Sequence, residues 1–182
     1  MKASIYIATT LDGFIARQNG ALDWLPGSDG KMEAGFENED FGFNAFMDSV
    51  DVLVMGRNTY ELVLSFGQWP YGNKRAIVLS SSLDKLADDV PSTVALKSCS
   101  PNDLYVELQN SGAMHLYIDG GKTIQGFLSA GLIDEIIITR VPILIGIGIP
   151  LFGALNKDKK LRHIETQTYN NGFVQSKYEV LG

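Results

Sequence analysis

Apolar and polar positions follow two different periods along the chain. Residues 3–10 (ASIYIATT) are β-branched and apolar and predict a buried strand. The same signal returns at 51–55 (DVLVM), 75–80 (RAIVLS), 92–96 (STVAL), 114–119 (MHLYID) and 132–143 (LIDEIIITRVPI). Helical spacing separates these runs. Phe43, Phe46, Met47 and Val50 fall on one face of a helix over 38–50, whose first turn is acidic. Residues 56–66 predict a turn entering a helix, with Asn58 or Thr59 as its cap. Residues 100–112 carry Pro near the start and Gly after the end of a helix, and 121–131 predict a helix stopped by Gly131. Residues 14–36, rich in Gly and Asp, predict a long loop, a frequent home of function. The segments LRHIETQTY and FVQSKYEVL alternate in period two about Asn170-Asn171-Gly172, a hairpin signal.

Strands alternating with helices imply parallel crossovers, and the terminal hairpin implies an antiparallel edge. The expected fold class is α/β, a mostly parallel mixed sheet flanked by helices with a C-terminal antiparallel hairpin. No repeat or linker divides the chain, so one domain over 1–182 is expected.

Composition narrows the function. The formal net charge is −6 with no basic cluster, which disfavours nucleic acid. The single cysteine, Cys99, excludes an internal disulfide and fits a reducing, cytoplasmic compartment. With only His115 and His163 beside it, no metal site is expected. No secretory signal is visible, and no apolar run reaches the roughly eighteen residues of a membrane span. His115 reads as a core or surface residue of its strand, Asp134 and Glu135 as an exposed strand edge, and Lys157, Lys159 and Lys160 as a solvated loop.

The stretch YIDGGKTIQGFL (117–128) contains GGKT, the end of a phosphate-binding P-loop. That motif needs a glycine where this chain has Leu116, inside a strand, so the loop cannot form and a P-loop kinase is excluded. A Rossmann glycine motif is also absent: GIGIPLFG comes nearest, but Pro150 would interrupt its helix. What remains is a strand, the pair Gly120-Gly121, and a helix carrying Thr123. Glycines admit a phosphate to the backbone, and a helix N-terminus favours an anion. A second strand ends in Gly56, Arg57 and Thr59, where Arg57 adds a bidentate positive fork. A third ends in Ser80, Ser81 and Ser82. Three such strand ends suggest a nucleotide with several phosphates lying across one sheet edge.

In this order the segments resemble the dihydrofolate reductase fold, and more closely the reductase domain of bacterial riboflavin biosynthesis. The segments that carry the resemblance are IATTLDGFIA (7–16), MGRNTYE (55–61), IVLSS (77–81), IDGGKTIQGFL (118–128) and VPILIGIGIPLFG (141–153). The last is typical of the riboflavin-type branch. The resemblance implies hydride transfer from NADPH to a C=N or latent carbonyl carbon of a pteridine-like or ribosylamino-pyrimidine-like molecule. It implies that the backbone at Ala8 and Ile15 holds the nicotinamide carboxamide, and that Gly56, Arg57, Thr59, Ser80, Ser81, Gly120, Gly121 and Thr123 contact the cofactor. Asp12 and Asp119 match acids near the substrate ribose, although an Asp-Gly pair also serves tight turns. Dihydrofolate reductases instead place an acid on the first helix, where this chain offers Glu37, Glu39 and Asp40; Asp40 is the candidate proton donor, although acids there also complement a helix dipole. Trp24 resembles a tryptophan lining the substrate loop, with ordinary packing as the other reading. Relatives of this type often form homodimers.

One departure bears on the substrate. The riboflavin reductase domain carries T-x-x-x-D-x-P-x-L-x-x-R, which helps bind a ribose phosphate; here the stretch reads TYELVLSFGQWPYGNKR, with Arg75 as the only candidate replacement. The natural substrate is therefore open. A non-catalytic NADP(H) binder or redox sensor on the same fold would keep Arg57, Ser80 and the glycine pair but need neither acid.

Overall fold

A computed structural model describes residues 1–27 and 39–182. The strands are β1 (Lys2–Thr10), β2 (Phe14–Ala16), β3 (Val52–Gly56), β4 (Arg75–Leu79), β5 (Val94–Lys97), β6 (His115–Asp119), β7 (Glu135–Val141), β8 (Ile149–Pro150), β9 (Lys160–Thr168) and β10 (Val174–Leu181). The helices are α1 (Phe43–Ser49), α2 (Arg57–Ser65), α3 (Pro101–Asn110) and α4 (Gly121–Ala130). Eight strands form one sheet in the order β5-β4-β3-β6-β1-β7-β10-β9, and β2 pairs with β8 in a separate ribbon. From β5 to β7 all pairings are parallel; β10 runs antiparallel to β7, and β9 to β10.

Strand alternation sends side chains to two cores. Ile5, Val54, Ile77, Leu116, Ile118 and Ile136 pack under Leu104 and Leu108 of α3 and Ile124 and Phe127 of α4. Leu53, Met55, Ala76, Val78, Tyr117 and Ile137 pack under Phe46 of α1 and Tyr60 of α2. Each large apolar side chain buried in this way contributes about 1.5–3 kcal/mol. Both crossovers therefore hold the carboxyl ends of β3 and β6 firmly beside one another.

Several expected elements differ in detail. The first helix begins only at Phe43, because Phe41 and Gly42 both take positive φ (56° and 84°). Asp40 thus lies before the helix. Glu37 and Asn38 lie outside the described residues. Helix α2 starts at Arg57 with Gly56 as its cap and no side-chain cap bond, so Asn58 and Thr59 sit inside it. Part of the expected 14–36 loop is strand β2. Glu135 is not on an exposed edge: β7 lies between β1 and β10, and its carboxylate pairs with Lys2 at 2.8 Å and Lys177 at 3.2 Å. The edge on that side of the sheet is β9, all nine residues of which are exposed, so its alternation faces no core. His115 is buried, with Nε2 2.8 Å from the Ser4 hydroxyl and Nδ1 3.0 Å from the Ser49 carbonyl. Burial lowers its pKa.

Candidate functional site

The sheet splits at its carboxyl end. Pairing of β1 with β6 ends at Ser4↔Tyr117. On the far side of each strand it continues, with β1–β7 running to Thr10↔Val141 and β3–β6 to Met55↔Asp119. The two central strands therefore diverge and open a wedge. Its lips are Tyr6, Ala8 and Thr10 on β1, and Asp119, Gly120 and Gly121 after β6. The Tyr117 hydroxyl bridges the base of the wedge, donating to the Tyr6 carbonyl at 3.0 Å.

The glycine-marked strand ends meet beside this wedge. Gly120 has φ 88°, and a Cβ there would overlap the Thr59 hydroxyl. A Cβ on Gly56 would lie 2.7 Å from Thr123 Oγ1, and one on Gly121 2.8 Å from Ile15 Cδ1. Gly56, Thr59, Gly120, Gly121, Thr123 and Ile15 are thus one contiguous cluster, across which the β2–β8 ribbon lies. Arg57 reaches the third strand end: its Nη1 donates to Ser82 Oγ at 3.1 Å, while Nε lies 3.4 Å from Glu61. Ser80 Oγ accepts from the Ser82 and Leu83 N–H groups at 3.2 and 3.1 Å, which folds the serine run back towards Arg57. Ser81, exposed, lies between them.

The candidate acids have different environments. Asp119 ends β6 on the face of Tyr117, near Tyr71. Burial pushes its carboxyl up to about 6, against the opposing pull of the Gly120 N–H at 2.8 Å and the Tyr117 hydroxyl. Asp12 is a latch. Its Oδ1 accepts from the Thr10 hydroxyl at 2.5 Å, and its Oδ2 from the N–H groups of Ile145 and Gly146 at 3.1 and 2.8 Å. These bonds, led by that of Thr10, hold its pKa below the usual carboxylate range. They tie the turn after β1 to the 141–153 loop. Asp40 accepts from the Gly42 and Asn44 N–H groups at 2.9 and 3.1 Å, which also lowers its pKa. It is spent on starting α1. Trp24 is buried with Val141 and Phe173 against Ala8, and its indole N–H has no hydrogen-bond partner among the described residues.

Three polar residues of this face escaped the sequence pattern. Tyr6 and Tyr117 lie in runs read as apolar strand, and Gln175 in a hairpin read only by its alternation. The Gln175 amide nitrogen lies 3.0 Å from the Tyr6 hydroxyl, 3.1 Å from the Phe41 carbonyl and 2.9 Å from the Thr139 hydroxyl. Tyr6 itself donates to the Phe41 carbonyl at 2.6 Å, and burial pushes its pKa up to about 12. A signal was available: a polar side chain within a buried strand must find a hydrogen-bond partner inside the fold.

A surface depression of about 640 Å³ lies at the other end of the sheet, lined by Lys2, Glu135, Arg162, Lys177 and Glu179 among others. Its charges are paired as Lys2–Glu135, Lys177–Glu135 and Arg162–Glu179. Among the described residues no cluster of His, Cys, Asp and Glu could hold a metal, and no helix is long and apolar enough to cross a membrane.

A mostly parallel sheet split beside a glycine pair, closed by an antiparallel hairpin, defines a reductase-like α/β fold. The family model for the RibD C-terminal domain matches residues 3–175, and the chain belongs to that family. It is 35% identical over 164 residues to the uncharacterized protein YwjB of Bacillus subtilis, covering 88% of each chain. A crystal structure of a putative riboflavin biosynthesis protein from Shewanella sp. PV-4 superposes with a TM-score of 0.90 at 42% identity, over 100% of both chains. A diaminohydroxyphosphoribosylaminopyrimidine deaminase/5-amino-6-(5-phosphoribosylamino)uracil reductase from Thermotoga maritima shares the fold, with a TM-score of 0.71 at 15% identity over 99% of this chain and 56% of that one.

Proposed function

We propose that the wedge between β1 and β6 binds NADPH and that the protein is an NADPH-dependent reductase of a small planar pteridine-like or ribosylamino-pyrimidine-like molecule. The observation that carries this reading is the split itself: ladder pairing between β1 and β6 stops at Ser4↔Tyr117, three residues before Gly120, so that neither lip is closed by the other. The residues fit the cofactor. A Cβ would meet the Thr59 hydroxyl at Gly120, the Thr123 hydroxyl at Gly56 and the tip of the Ile15 side chain at Gly121, and the first N–H groups of α4 stand free of partners in the helix ladder. Gly56, Thr59, Gly120, Gly121 and Thr123 would hold the diphosphate. Arg57 with Ser80 and Ser81 would take the 2′-phosphate, and the backbone at Ala8 and Ile15 the carboxamide.

When bound, NADPH supplies a hydride to a C=N or latent carbonyl carbon. The chain's task is to exclude water, orient the acceptor and hold a proton. Asp119 suits the last role, since its raised pKa leaves a proton on the carboxyl near pH 6. Asp12 holds the 141–153 loop across the cofactor end, and Trp24 backs the wall behind Ala8.

Titration with NADPH and NADH, followed by quenching of Trp24 and Trp69 fluorescence, tests the reading. NADPH binding should weaken by roughly ten- to a hundredfold in Arg57→Ala, the loss expected for one charged hydrogen-bond partner, while NADH changes little. Absence of binding by either nucleotide removes the proposal.

A further inference from the structure

The connection between α2 and β4 packs Trp69 and Tyr71 against the core under Met55 and Tyr117, on the sheet face to which Asp119 points. Its Trp69 and Tyr71 rings meet edge to face, with centroids 5.3 Å apart at 75°, and Trp69 leans in turn on Tyr60 at 6.3 Å. Tyr71 is half-buried, and burial, followed by the charge of Asp119, raises its pKa. With Tyr117 it is one of two phenols beside the candidate proton carrier.

The hydroxyls of neighbouring tyrosines are all engaged. Tyr60 accepts from the Ala87 N–H at 2.8 Å, Tyr117 donates to the Tyr6 carbonyl at 3.0 Å, and Tyr6 donates to the Phe41 carbonyl at 2.6 Å. Tyr71 has no hydrogen-bond partner among the described residues, so its donor and acceptor are available to a ligand. Its hydroxyl and the Asp119 carboxyl offer the donor and acceptor chemistry that a flat heterocycle with N–H beside C=O or C=N requires.

The cations of the same connection are committed elsewhere. Lys74 Nζ donates to the Met47 and Val50 carbonyls, both at 2.7 Å, and so caps the end of α1. Arg75 begins β4, at the amino end of the strand, where its Nη1 donates to Ser111 Oγ at 3.2 Å. It cannot replace the ribose-phosphate arginine that its sequence position suggested. Lys177, on the same sheet face, is held by Glu135.

Resting on the reductase reading, we propose that Tyr71 is a specificity-determining residue that touches the acceptor, and that the acceptor half of the wedge takes a planar heterocycle without a phosphate. Trp69 is a positioning residue that fixes the Tyr71 ring.

The test uses the NADPH-loaded protein and two probes: 5-amino-6-(5-phosphoribosylamino)uracil and the same riboside without its phosphate. Equilibrium binding is read by tryptophan fluorescence. The riboside should bind at least as tightly as the phosphorylated compound. Tyr71→Phe, which keeps the ring, should weaken the riboside about tenfold, the loss of one hydrogen bond, and leave NADPH affinity unchanged. Lys74→Met should change neither probe's relative affinity. A clear preference for the phosphorylated probe, its selective loss in Lys74→Met, an unaffected riboside in Tyr71→Phe, or binding of neither probe would overturn the proposal. NADPH is titrated first on the same samples. Failure there removes the reductase reading, whereas NADPH binding with a preference for phosphate removes only the present one.

Discussion

Gly120 and Thr59 belong to different strand–helix units, yet a Cβ on the glycine would occupy the space of the threonine hydroxyl. Gly120 also takes φ 88° and ψ 142°, a conformation almost reserved for glycine. Gly120→Ala should therefore lower stability by about 1–3 kcal/mol through backbone strain, with the clash adding to it. Urea unfolding of Gly120→Ala and of Gly120→Ala/Thr59→Ala should show partial recovery in the double variant. Full recovery would mean that the clash, and not the torsion, dominates.

Asp119 sets a stability trend opposite to that of most acids. Its folded pKa, about 6, is above the ordinary aspartate value. The folded state thus binds the proton more tightly, so the associated stability is present below about pH 4 and is lost as pH rises through 6. Asp119→Asn keeps an acceptor for the Gly120 N–H and removes the buried charge. It should exceed the wild type in stability by roughly 1–3 kcal/mol at neutral pH, and the gap should close in acid. Chemical denaturation at a series of pH values reads both limbs. A gap that instead grows in acid would contradict the assigned environment.

Asp12 should behave in the opposite sense. Its pKa is depressed by the Thr10 hydroxyl and the loop N–H groups, so its latch is fully formed above the ordinary aspartate pKa, about 4, and weakens as pH falls through the folded value. Hydrogen exchange at the Ile145 and Gly146 amides should show protection lost with this acid transition. In Asp12→Asn, which retains one acceptor oxygen but no charge, exchange at those amides should be faster at neutral pH and show no carboxyl titration. Unchanged protection would assign the loop's order to other contacts.

Much of this arrangement was legible in the sequence where backbone chemistry carried the signal. Gly56, Gly120 and Gly121 stood out because strands ending in glycine before a helix have few other uses, and the structure gathers them with Thr59 and Thr123. The extent of α3 was also readable, since Ser100 caps it through the Asp103 N–H and Pro101 begins it. Asp12, Asp40 and Arg75 were harder. Residue type and position recommended each for chemistry, but their partners lie in loops and strand ends that local spacing does not specify. Tyr71 was missed for the converse reason. Its distinction is a hydroxyl without a partner among the described residues, which becomes visible only after the hydroxyls of Tyr6, Tyr60 and Tyr117 have been assigned theirs.

The Phe41 carbonyl gathers Tyr6 from the first strand of the sheet and Gln175 from the last in chain order. Phe41 itself holds φ 56°, unusual for a residue with a side chain. During synthesis, a ribosome delivers Tyr6 and Phe41 long before Gln175. The nascent chain can build its parallel strands first, but the left-handed turn at Phe41 gains its full set of donors only when β10 docks. Docking of the C-terminal hairpin thus completes the donor set of a turn made more than a hundred residues earlier, and ties the order of that turn to a remote strand pairing.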